Sequence, residues 1–113
     1  MKQIIIKNTW ADCVEHGWGN GYVILPKGHQ FHGVDYDHIH VQVHGGLTCS
    51  EVLTKELLKR FKESPEAETS ELSEDDIGSW VVGFDTCHFQ DNQINWPKEK
   101  VLEETIRLES QLS

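Results

Sequence analysis

The chain has no apolar run of the 18 or more residues that a membrane-spanning helix requires, which excludes a helical span. Near the N-terminus the apolar run in MKQIIIKNTW is three isoleucines, too short for a signal-peptide core, so the expected location is the cytoplasm. Basic residues are scarce: 10 Lys and Arg stand against 19 Asp and Glu, a net charge of −9. Phosphate contacts need clustered cations, so extended nucleic-acid binding is not expected, although a small anion in a local pocket is compatible with this balance. Cysteine is limited to Cys13, Cys49 and Cys87 with no CxxC spacing, which fits reduced thiols acting as small buried hydrophobes. The sequence holds no GxxxxGK, GxSxG, HExxH or HxE…PCxxC signature, so no established catalytic motif is present.

What is present is a globular pattern. The hydrophobic fraction of 37% and four Trp support a packed core, and 113 residues fit one domain. Residues 2–7 (KQIIIK) read as a strand and residues 20–26 (NGYVILP) as a second, after turn material in GWGNG. Lys27 to Asp37 reads as a loop. In DHIHVQVH, Asp37 to His44, the strict alternation of Ile39, Val41 and Val43 with His38, His40, Gln42 and His44 predicts a third strand, able to pair with the second. Gly45 and Gly46 end it. A helix is expected next, capped by Thr48 or Ser50, with Thr48 and Glu51 as a capping box and Leu53, Leu57 and Phe61 as its apolar stripe. An acidic, solvated loop follows at about 63–77. Residues 79–86 (SWVVGFDT) read as a fourth strand, CHFQDNQINW as a loop, and Pro97 as the first residue of a helix that buries Val101, Thr105, Leu108 and Leu112. The expected fold is therefore α+β, a small mostly antiparallel sheet of about four strands with two helices in the order β-β-β-α-β-α. A homodimer would add buried area to so small a domain.

Three stretches could carry chemistry. Alternating imidazoles on a strand stand roughly 7 Å apart, so two could reach one metal with help from a carboxylate. For His38 and His40 a wet surface is the simpler reading; His44, at the head of HGGLT, is the candidate ligand. A glycine turn leading into a helix N-terminus, Gly45, Gly46, Thr48 and Ser50, would cradle a phosphate or carboxylate. In GFDTCHFQD, Asp85, His88 and Asp91 are spaced three apart. Asp85 could orient an imidazole and His88 serve as a base, while His44, His88 and Asp91 could hold a divalent metal. The same residues read structurally as loop-capping groups. His29 lies in a loop that could fold over such a pocket, and Trp18, Tyr22 and Trp80 could stack on a ring or fill the core.

Gly21-Tyr22-Val23, Pro26-Lys27-Gly28-His29, His44-Gly45-Gly46-Leu47-Thr48, Trp80, Gly83-Phe84-Asp85, His88 and Asp91 together resemble a family of small uncharacterised bacterial and phage proteins with the pattern GYV…PxGH…HGGLT…GFDxxH. The likeness covers most of the chain beyond about residue 20. It departs at His38 and His40, which the pattern does not ask for, and at Val81, where a second Trp is common. The resemblance implies positions rather than a mechanism. Three functions stay open. One is binding of a small anionic ligand, such as a nucleotide, with sequestration of a defence signal as one form. The second is a small metal-dependent or acid–base hydrolase using His44, Asp85, His88 and Asp91. The third is an acidic inhibitor that docks on a basic host protein.

Overall fold

The computed structural model describes residues 1–9, 15–64 and 72–113. Four strands, β1 (Lys2–Lys7), β2 (Gly19–Leu25), β3 (Cys49–Val52) and β4 (Trp80–Phe84), form one antiparallel sheet in the order β1-β2-β4-β3. Two helices, α1 (Lys55–Glu63) and α2 (Lys98–Leu112), and two short 3₁₀ turns, Tyr36–His38 and Glu74–Asp76, complete the described elements. The α+β architecture and the β-β-β-α-β-α order are as expected. Cys13 and residues 65–71 of the acidic stretch lie outside the described residues. Among the described residues no helix is long and apolar enough to cross a membrane.

The sheet is covered on both faces. Against one face α2 packs Val101, Leu108 and Leu112 onto Ile5, Val23, Val82 and Phe84, with Trp18 and Trp96 closing the side. It comes so close at Gly21 that a β-carbon there would strike Thr105 and the Phe84 ring. On the other face Leu57, Leu58 and Phe61 of α1 meet Ile4, Ile24 and Val81. This explains the glycines around Asn20. GNG is not a turn but the start of β2, and at Gly19 a side chain would run into the carbonyl of Ile6.

Two expectations are corrected. Asp37 to His44 is not a strand and does not pair with β2, whose neighbours are β1 and β4. It begins in the 3₁₀ turn and continues as chain laid along α2. The alternation itself is real: Ile39 is buried, Val41 and Val43 pack against the core, and His38, His40 and Gln42 face outward. Alternation reports which side meets an apolar surface, not what bonds the backbone. Here helix side chains do that: Gln42 donates its N–H to Gln111 Oε1 (2.7 Å) and accepts from Gln111 Nε2 (2.8 Å), and His44 N–H donates to Glu104 Oε2 (2.7 Å).

The third strand is instead Cys49–Val52, which was expected to open the helix. Thr48 and Ser50 therefore do not cap α1, and Thr48 and Glu51 form no capping box. The cap is Thr54, whose hydroxyl accepts the Leu57 N–H at 3.1 Å. Leu53 before it and Leu58 after it share one apolar cluster, the staple arrangement that fixes the entry of a helix. A Ser/Thr-x-x-Glu spacing in Thr48–Glu51 coincides with a short edge strand, and only pairing with β4 decides between them.

Candidate functional site

The site starts from the loop that leaves β4. Asp85 Oδ1 accepts the Cys87 N–H at 3.1 Å, turning the chain immediately after the sheet. His88 and Asp91 then lock a second turn reciprocally: His88 N–H donates to Asp91 Oδ2 (3.0 Å) and Asp91 N–H to the His88 carbonyl (3.0 Å). Gln90 sits between them at φ 75°. Asn92 caps the rest of the loop, accepting the amides of Ile94 and Asn95, each at 2.9 Å.

From the opposite side comes the glycine turn, with Gly45 at φ 69° and Gly46 at φ 80°, conformations that side chains rarely adopt. Gly45 has a second reason to be glycine: a β-carbon would collide with the His88 ring at Nε2. The turn delivers His44, whose Nε2 lies 3.0 and 2.9 Å from the two oxygens of buried Asp91. The His44 ring lies on Trp96 (centroids 4.0 Å, 35°) and meets His88 edge-on at 5.4 Å. Trp96 is held in turn under Lys100 Nζ, 4.8 Å from its ring centre. Asp85 Oδ1 is 3.2 Å from His88 Nε2, a buried nitrogen that makes no hydrogen bond among the described residues. His44, Gly45, Asp85, His88 and Asp91 thus converge.

Asp85 also faces a cavity of about 720 Å³ on the α1 side of the sheet. The register explains its floor. Ile4, Tyr22, Gly83 and Cys49 form one row across the sheet, flanked by Ile24, Val81 and Glu51 on one side and by Ile6 and Asn20 on the other. Tyr22 lies over Gly83, where a β-carbon would strike its ring. The α1 helix covers the apolar part of this face and leaves the polar part as a hollow, walled by Leu57, Arg60 and Phe61. Asn20 is 9% exposed; its Nδ2 donates to Tyr22 Oη (3.3 Å), and its Oδ1 has no partner among the described residues. Burial, with Cys49, Asp85 and Glu51 nearby, pushes the Tyr22 phenol up to about 12. Burial and the adjacent Glu51 carboxylate push the Cys49 thiol up to about 12 as well, so it is a poor nucleophile.

The remaining candidates fall into two groups. Thr48 and Ser50 line the cavity, although Ser50 Oγ is engaged by the Tyr36 N–H at 2.9 Å. Gly46 is exposed, with open space around it. His29 and Trp80 are elsewhere. His29 Nδ1 accepts the Phe31 N–H (3.0 Å), which leaves Nε2 to donate to the Leu112 carbonyl at 2.6 Å and tie off the end of α2. Trp80 Nε1 donates to the Val34 carbonyl at 2.9 Å, pinning the preceding loop. The amides at the N-terminus of α1 are equally remote. Leu53, just before its cap, pairs with Gly78 and Ser79 at the start of β4, whereas Asp85 follows the end of that strand. The anion cradle expected at the glycine turn is therefore absent. Asn20 and Arg60 were not foreseen; a polar side chain between two glycines inside an otherwise apolar strand was the available signal for Asn20. No protein-family model, curated protein or solved structure matches this chain.

Proposed function

We propose that the protein is a small-molecule binding protein, and that its ligand is a flat ring bearing N–H donors which lies in the cavity beneath α1. The observation that carries this reading is the Asn20 amide oxygen, buried on the cavity floor without a hydrogen-bond partner among the described residues. A buried acceptor left unpaired costs about 1–3 kcal/mol, and a bound donor would remove that cost. The surroundings suit such a ring. Tyr22 and Phe61 (centroids 5.0 Å) supply aromatic surface, and Asp85 and Glu51 add acceptors. A volume of about 720 Å³ lies within the range of small-molecule sites. Arg60 in the lining would receive an acidic tail, so a nucleotide remains compatible, now held by its base first. The resemblance to phage proteins makes sequestration of a host signal the concrete form of this reading.

The test is to incubate purified protein with cell extract, re-isolate it, denature it by heat and identify what is released by mass spectrometry. An intact nitrogen heterocycle at near-stoichiometric yield is expected, together with its loss from Asn20→Leu. That variant removes the unsatisfied oxygen but also the amide that bonds the Tyr22 hydroxyl, two opposing effects, so it should stay folded with stability changed by no more than ~1 kcal/mol. Release of nothing, or equal release from Asn20→Leu, would defeat the reading.

A further inference from the structure

We infer that His44, His88 and Asp91 form a binding site for a divalent transition-metal ion, with zinc the ion its donors suit best. Among the described residues this is the one group of three potential ligands whose donor atoms all lie within 4.8 Å of one another. Two imidazoles and one carboxylate are a zinc-type donor set, harder than thiolate sites and softer than the all-oxygen sites of calcium or magnesium. The proposal is independent of what fills the cavity.

Three features support it beyond proximity. Asp91 is held rigidly by the His88 amide and is 8% exposed, so its oxygens are already aimed at the His44 ring. His44 is clamped by Trp96 and by the hydrogen bond its backbone N–H donates to Glu104 Oε2, which fixes one ligand in place. His88 has a buried ring nitrogen with no hydrogen-bond partner among the described residues and a carboxylate, Asp85, at 3.2 Å. Metal-bound imidazoles ordinarily present their other nitrogen to such a carboxylate, which sets the tautomer and raises the basicity of the ligand.

The geometric demand is small. With bonds of about 2.0–2.1 Å, a tetrahedral ion holds its ligand atoms roughly 3.3 Å apart, so the widest spacing here must close by no more than ~1.5 Å. The His88 side chain, 35% exposed, is the one with freedom to make that move. Three protein ligands leave one coordination position for water or an exogenous group, the pattern of an open rather than a purely structural site.

The experiment is titration of the full chain with zinc chloride against a chromogenic chelator, with cobalt(II) substitution as a second readout. One equivalent should bind, and His44→Gln and His88→Gln should each weaken binding at least tenfold while His40→Gln, at an exposed position, leaves it unchanged. Cobalt bound to the unaltered chain should give the visible absorption of a low-coordinate site, and His88→Gln should lose it. Thermal unfolding establishes that each variant is folded. Absence of a stoichiometric site, or a site that survives His88→Gln but disappears with His40→Gln, would overturn the inference.

Discussion

Gly45 is the residue on which the candidate site most depends. It carries two constraints at once, a left-handed backbone and contact with the His88 ring, and each disfavours a side chain. Gly45→Ala is expected to cost ~1–2 kcal/mol from the backbone alone. It should also displace His88, so the His44 and His88 ring resonances in NMR should shift together. Gly46→Ala, which meets only open space, should cost a similar backbone penalty and leave those resonances in place. Cys49 offers a second test at this scale. With its thiol pushed up to about 12, it should react with iodoacetamide at pH 8 about a thousandfold more slowly than a free cysteine, measured by mass mapping of the labelled peptide.

At the scale of elements, most of the fold was legible and one exchange was not. β1, β2, β4 and α2 stand within a residue or two of where their patterns place them, because each buries a full face and its period matches that burial. The stretch from Asp37 to Val52 exchanged roles: the best-alternating segment lies outside the sheet, and an unremarkable CSEV became β3. Alternation follows from one apolar neighbour, here α2, whereas strand formation needs an available edge, and β4 gave its edge to Cys49–Val52. Of the site, Asp85, His88, Asp91 and His44 were legible as residue types at turn spacing. Asn20 and the cavity were not, since a hollow arises from what α1 fails to cover. The segment on α2 yields its own prediction. Glu104→Ala should destabilise by ~1–2 kcal/mol through the orphaned His44 amide. Amide exchange should quicken at His44 and, in Gln111→Ala, at Gln42.

For the whole molecule, acid is the expected route to unfolding. Glu104 is held below its usual range chiefly by its bonds to Arg107, against the opposing effect of burial. Burial raises Asp76, but the Ser73 amide and the Lys2 ammonium outweigh it and hold the carboxyl down. Carboxyls depressed in the folded state contribute stability above their unfolded values, about 4.3 for Glu and 3.9 for Asp, and lose it as pH falls through their folded values. Denaturant midpoints should therefore decline below about pH 4. In Glu104→Gln and Lys2→Met the decline should be shallower, from a lower starting stability.

The imidazole of His29 reaches across 83 positions of sequence to the last carbonyl of α2. That single contact makes the loop after β2 and the final helical turn parts of one closed circuit. Fraying at either end must open the other, so the two segments should exchange their amide protons in step, as one cooperative unit, although they sit at distant points of the chain.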